Sequence, residues 1–187
     1  MSERIAIFGG SFDPPHVAHT LAAAYVLATE SVDRVLVVPT ATHPFGKRLS
    51  AFMHRVHMCG LAFAELAHVS ISVIERDLPP PSLTLHTLEA LAQAHQGAHL
   101  HLVIGSDLLA ETHAWHNFAR VSELAPPIIV ERQGYESPDA TTPALPGVSS
   151  TEMRRRLRVG ESTAGWLSPA VASYALEHGL YRQERQD

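Results

Sequence analysis

Short runs of β-branched and aliphatic residues alternate with longer stretches of helical periodicity along most of the chain, and that alternation leaves few folds open. Arg4–Phe8, Arg34–Val38, Val69–Ile74, Leu100–Ile104 and Ile128–Val130 read as strands. His16–Ala28, Ala51–Leu66 and Leu83–His95 read as helices between them. Strands separated by helices of this length pair in parallel through right-handed crossovers. Apolar runs without alternation suit strands buried on both faces. After the fifth strand the pattern changes. A loop at Gln133–Gly147 carries three prolines and two glycines, and two shorter helical stretches follow at Ser149–Val159 and Ser168–His178.

The expected fold class is α/β: a single Rossmann-like domain over residues 1–187, with a parallel sheet flanked by helices and a short C-terminal helical segment at about 149–182. A chain of 187 residues can bury the core this needs. A net charge of −5 argues against a broad nucleic-acid surface, so any polyanion site must be local. No apolar run approaches the length of a membrane span, and a cytoplasmic protein is the simplest expectation. Cys59 is the one cysteine and lies on an apolar helical stretch, where a core role is expected. Lys47 is the one lysine, and it stands in a Gly-containing loop.

The sequence Gly9-Gly10-Ser11-Phe12-Asp13-Pro14-Pro15-His16-Val17-Ala18-His19 joins the first strand to the first helix. In an open α/β sheet, ligands collect at the carboxyl ends of strands. Adjacent glycines let backbone N–H groups approach an anion. It is neither a Walker loop nor a dinucleotide fingerprint, because both spacings are absent. His16 and His19, three apart, share roughly one helix face near an N-terminus that favours phosphate. Their imidazoles can donate hydrogen bonds to phosphate oxygens as charge builds up. Chance placement among 13 histidines is the plain alternative. No third ligand stands at a telling spacing, so no protein metal site is expected. A second anion site is suggested by Ser149-Ser150-Thr151-Glu152-Met153-Arg154, where Ser149 and Glu152 have the spacing of a capping box. The plain alternative there is a capped, solvated helix with surface arginines.

The run GGSFDPPHVAH resembles the signature of the nucleotidyltransferase superfamily, and the Ser149–Arg154 element resembles that superfamily's grip on the ATP phosphates. Ala18 stands where the family usually has glycine. Further matches narrow the resemblance, nearly end to end, to the bacterial nicotinate-nucleotide adenylyltransferases. They are Ser82–Leu88, Gly105-Ser106-Asp107 with Trp115 downstream, Arg132–Tyr135, and Pro169 through Gly179-Leu180-Tyr181-Arg182. The resemblance implies adenylyl transfer from ATP to nicotinate mononucleotide in NAD biosynthesis, with magnesium held mainly by the ATP phosphates. It implies catalytic roles for His16, His19, Lys47 and Arg154. ATP contacts would come from Gly9, Gly10, Ser11, Phe12, Gly105, Asp107, Ser149, Ser150 and Thr151, and acceptor contacts from Thr84, Trp115, His116 and Arg132.

Trp115 offers a flat face to an aromatic ring, Thr84 could cap a helix whose N-terminus receives an anion, and Asp107 could accept from a ribose or an adenine edge. One loop departs from the family pattern: His43-Pro44-Phe45-Gly46-Lys47-Arg48 is shorter, and either His43 or Arg48 could take the place of Lys47. The same chemistry on nicotinamide mononucleotide, a sister transferase with another phosphate-bearing acceptor, and a non-catalytic nucleotide-binding protein are the alternatives. Oligomeric state is left open, a homo-oligomer included.

Overall fold

The computed structural model describes residues 2–43 and 46–182. Pro44 and Phe45, within the loop expected to supply a phosphate contact, lie outside the described residues, as do Met1 and 183–187. The strands are β1 (Arg4–Gly10), β2 (Arg34–Pro39), β3 (Val69–Ile71), β4 (His99–Gly105) and β5 (Pro127–Val130). The helices are α1 (Val17–Thr29), α2 (Phe52–Ala62), α3 (Thr84–Ala94), α4 (Phe118–Leu124), α5 (Ser150–Val159) and α6 (Pro169–Glu177). Two 3-10 segments, Ile74–Asp77 and Ser106–Ala114, follow β3 and β4.

All five strands pair in parallel in the order β3-β2-β1-β4-β5. The chain therefore builds outward from β1 to β3, returns, and builds the other way through β4 and β5. The reversal opens a crevice between the carboxyl ends of β1 and β4.

Strand parity sorts the core into two layers. Ala6, Phe8, Val35, Val37 and Val103 face one cluster, closed by Ala22, Ala23 and Val26 of α1 and Cys59 of α2. Ile5, Ile7, Leu36, Val38, Leu100, Leu102 and Ile104 face the other, closed by Leu85, Leu88 and Leu91 of α3 and Val121 of α4. Both faces of β1 and β2 are thus covered, which is why their sequences lack a polar register. Cys59 is fully buried, and burial pushes its thiol well above the ordinary range, so it behaves as a small apolar core residue. A third cluster joins Met153 and Leu157 of α5 and Val171 and Ala175 of α6 to Ala18 and Met58. It docks the C-terminal helices against the start of α1 and the middle of α2, beside the crevice.

Several boundaries differ from the sequence expectation. β3 stops at Ile71, because the chain turns into the 3-10 segment that buries Glu75. α2 stops at Ala62 rather than Leu66, and His68 then takes a left-handed φ of 62° on the way into β3. α4 has no counterpart in the sequence reading. It is seven residues long with only Val121 buried, and it is started by Asn117, whose side chain accepts a hydrogen bond from the Arg120 amide. Among the described residues no helix is long and apolar enough to cross a membrane.

Candidate active site

A cavity of about 320 Å³ fills the crevice at the ends of β1 and β4. One wall is Gly9, Gly10, Ser11, Phe12, His16, Ala18 and His19; the facing wall is Gly105, Asp107, Arg132 and Ser149–Thr151, and Lys47 also lines the space. All nine residues expected at ATP line this one space, as do three of the four expected to be catalytic.

The turn after β1 is held by its own aromatic ring. Phe12 takes a left-handed φ of 47°, a conformation side-chain-bearing residues rarely adopt. Its ring compensates by packing edge-on against Phe8 and Phe63, with centroids 5.4 and 6.2 Å away, and is only 1% exposed. A Cβ on Gly10 would stand 3.1 Å from that ring. This contact explains a glycine at position 10 better than free space for an anion does.

His16 caps α1 and His19 lies one turn in, their rings stacked with centroids 3.7 Å apart. The His16 amide donates to His19 Nδ1 at 3.1 Å. Nδ1 therefore presents its lone pair, and the ring hydrogen of neutral His19 must sit on Nε2. Burial pushes His16 down to about 3, helped by the nearby Arg132 guanidinium. Burial also holds His19 well below its ordinary value, with His16 and Arg132 adding to the effect. Both imidazoles are accordingly neutral near pH 7. His16 Nδ1 is the one buried side-chain polar atom without a hydrogen-bond partner among the described residues. An unpartnered donor or acceptor on a cavity wall is what an incoming polar ligand satisfies.

On the facing wall, Ser149 caps α5 by accepting from the Glu152 amide at 3.2 Å. The reciprocal half of the expected capping box is missing. The Glu152 carboxylate is taken by Arg155 and Arg156, each at 2.8 Å, and these hold it down to about 2. Ser150 Oγ donates across to the Pro14 carbonyl at 2.9 Å. Arg154 stands behind the wall, donating to the Asp13 carbonyl at 2.6 Å and the Thr151 hydroxyl at 3.1 Å. Asp107 accepts from Arg132 at 2.8 Å, and Arg132 also donates to the Val148 carbonyl at 2.9 Å. A Cβ on Gly105 would collide with the Asp107 carboxylate and force it to shift from its place beside Arg132.

The acceptor set divides. Arg132, expected at the acceptor, lines the cavity with the nucleotide set. Thr84, Trp115 and His116 do not line it. Thr84 does not cap α3 as expected; Leu83 occupies the cap position without a side-chain bond, and Thr84 is the first helical residue. Trp115 is half-buried, edge-on to Phe118 at 5.7 Å and packed on the α3 layer of the core. His116 is exposed, with its ring 6.0 Å from that of His86 on α3, so the α3 start and the Trp115–His116 corner are neighbours. In the loop after β2, Lys47 reaches the cavity, and Arg48 is not among its lining residues.

A buried polar hub behind the turn was missed from sequence. Arg55, 1% exposed, donates to the carbonyls of Ser11 and Ser50 at 2.9 Å each, and Asp13, 2% exposed, accepts from Tyr181 and from the Ser50 amide. One signal was available: Arg55 precedes Met58 and Cys59 by three and four residues, on the face of α2 that is buried.

Comparison with known proteins agrees with this geometry. The family model described as cytidylyltransferase-like matches residues 7–156. A protein of Anaeromyxobacter sp. (strain K) named probable nicotinate-nucleotide adenylyltransferase is 46% identical over 181 residues, covering 95% of this chain and 96% of its own. A protein of the same name from Thermus thermophilus is 38% identical over 185 residues, covering 96% and 100%. The structure of Plasmodium falciparum nicotinic acid mononucleotide adenylyltransferase complexed with NaAD aligns with a TM-score of 0.80 over 96% of this chain and 97% of its own. At 22% identity, that likeness is one of fold.

Proposed function

The chain belongs to the cytidylyltransferase-like family, among the nicotinate-nucleotide adenylyltransferases, and from that premise we propose that it moves the adenylyl group of ATP onto nicotinate mononucleotide. The products are nicotinate adenine dinucleotide and pyrophosphate, a step of NAD biosynthesis. One nucleotidyltransferase domain over residues 1–187 and a cytoplasmic location, where ATP is made and spent, go with this proposal. The observation that carries it is the shared cavity: the turn after β1 and the start of α5, 136 residues apart at the Ser150–Pro14 bond, wall one space.

A phosphate oxygen of the acceptor attacks the α-phosphorus of ATP in line. The bond from the α-phosphorus to the bridging oxygen breaks, and pyrophosphate leaves with that oxygen. The chain supplies position and charge stabilisation rather than a nucleophile. The Nε2–H of His19 and the free nitrogen of His16 meet the phosphate oxygens, where uncharged donors gain most as negative charge accumulates. Lys47 and Arg132 bring the local positive charge, and Ser149–Thr151 close the far side. Arg154 steadies both walls.

Among the described residues no three His, Cys, Asp or Glu side chains could hold a metal ion. The nearby carboxylates are also engaged, Asp13 with Tyr181 and Asp107 with Arg132. A magnesium ion carried by the triphosphate fits such a lining, and it would neutralise phosphate charge. Thr84, Trp115 and His116 would take the nicotinate end, with Trp115 stacking on the ring. Pyrophosphate release with ATP and magnesium, measured against nicotinate mononucleotide, nicotinamide mononucleotide and other phosphate-bearing acceptors, is the test. Release with nicotinate mononucleotide at least about tenfold faster than with the others is expected; equal or faster release with another acceptor overturns the assignment.

A further inference from the structure

We infer that Tyr181 and Asp13 are positioning residues for ATP: the hydroxyl that follows α6 fixes the turn after β1 in its nucleotide-binding shape without itself touching the cavity.

The Asp13 carboxylate is buried, and among the described residues each oxygen has one donor. Oδ1 accepts from the Tyr181 hydroxyl at 2.7 Å and Oδ2 from the Ser50 amide at 3.0 Å. The charge of Arg55 lies close by, though its N–H groups are spent on backbone carbonyls of Ser11, Ala41 and Ser50. Three carbonyls of the same turn are tied down as well: Ser11 by Arg55, Asp13 by Arg154 and Pro14 by Ser150. Held by these ties, the turn presents Gly9–Phe12 and His16 to the cavity, while neither Asp13 nor Tyr181 lines it.

Tyr181 is brought there at a conformational cost. After α6, Gly179 takes a φ of 63° and the Leu180 amide returns to the Ala175 carbonyl at 2.8 Å. Tyr181 then adopts a left-handed φ of 67°, which residues with side chains rarely do. Its hydroxyl passes Met58 Sδ at 3.9 Å before reaching Asp13, 168 residues away in sequence. Backbone held in such a region is retained where the surroundings over-determine it, and these cluster at functional sites. Burial and the Asp13 charge push the phenol well above its ordinary range, so it remains a donor at any working pH. No residue of α6 lines the cavity; it reaches the site through its packing on Ala18 and through the Tyr181–Asp13 bond, among the described residues the one polar tie from the segment after α6 to the turn.

The inference rests on the adenylyltransferase reading, and the test separates the two. The full chain is compared with Tyr181→Phe, Asp13→Asn and the double variant, reading ATP affinity by calorimetry without acceptor, KM for each substrate, kcat and unfolding temperature. Tyr181→Phe is expected to weaken ATP binding about tenfold, the scale of losing one hydrogen bond to a buried charge. KM for nicotinate mononucleotide should hold, while the unfolding temperature drops by a few degrees because the buried Asp13 oxygen loses its donor. Asp13→Asn removes the charge that strengthens the Tyr181 bond and also disturbs the Ser50 contact, so adding Tyr181→Phe to it should cost less ATP affinity than Tyr181→Phe alone. ATP affinity unchanged in Tyr181→Phe, additive losses in the double, or losses equal toward both substrates that track unfolding each overturn the inference. Should Tyr181→Phe fail to fold, Asp13→Asn carries the same comparison of substrates. Failure of the wild type to release pyrophosphate would sink the activity alone, since ATP affinity still judges the Tyr181–Asp13 bond.

Discussion

The two stacked imidazoles make stability depend on acidity in a way that can be calculated for His16. In the unfolded chain this group titrates at its ordinary 6.5, and in the folded protein burial pushes it down to about 3. A histidine depressed on folding leaves stability untouched above pH 6.5, where neither state is protonated. Between 6.5 and 3 the unfolded chain binds the proton and the folded one does not, so stability falls as pH falls, levelling off only below 3. From pH 8 to pH 5 the unfolded state gains about 1.5 pH units of proton binding from this residue, or roughly 2 kcal/mol.

His16→Gln removes that titration and leaves the other depressed histidines, His19, His43 and His101, in both proteins. Urea unfolding followed by circular dichroism at pH 8, 6 and 5 is the assay. Wild type should lose about 2 kcal/mol more than the variant over that range, a relative midpoint shift of roughly 1 M for a typical urea slope. Parallel pH profiles for the two proteins would refute the claim that His16 is buried uncharged.

His19→Ala deletes the Nε2–H donor and the acceptor for the His16 amide; turnover should fall about a hundredfold or more in a pyrophosphate-release assay while the protein remains folded. Gly10→Ala pushes a methyl against the Phe12 ring, and because that ring is wedged between Phe8 and Phe63 the variant should lose about 1–3 kcal/mol of stability in the urea assay, together with ATP affinity. Trp115→Ala should raise KM for the acceptor up to about tenfold with KM for ATP unchanged, on the scale of one aromatic contact. The opposite pattern would move the acceptor away from that corner.

The sheet was legible because its strands are buried on both faces. Ile5–Phe8 and Val35–Val38 can be uniformly apolar only if helices cover each side, and that one inference implies parallel pairing and the crevice between β1 and β4. The two cavity walls were legible from local residue patterns, Gly9–Phe12 as a glycine turn leaving a strand and Ser149–Thr151 as a capped helix start. Shorter or more distant relations were not. α4 buries a single side chain, too little for a helical period to appear. Thr84 matches a cap by residue type, yet Leu83 takes that position, a difference of one residue that propensity cannot resolve. The bond from Tyr181 to Asp13 spans nearly the whole chain and leaves no periodic trace, and the tautomer of His19 follows from one backbone amide that only coordinates reveal.

The uncharged state of the histidine pair bears on how the enzyme lets go. A fixed cation attracts a polyphosphate before, during and after the reaction alike, and so slows departure of the leaving group as much as it speeds arrival. A neutral N–H bonds a resting phosphate more weakly and strengthens chiefly while charge peaks midway. In the proposed mechanism the phosphates are met by two imidazoles that burial keeps uncharged, with permanent positive charge confined to a few groups such as Lys47 and Arg132, so the pocket would concentrate its favourable energy on the fleeting species and leave pyrophosphate only lightly held.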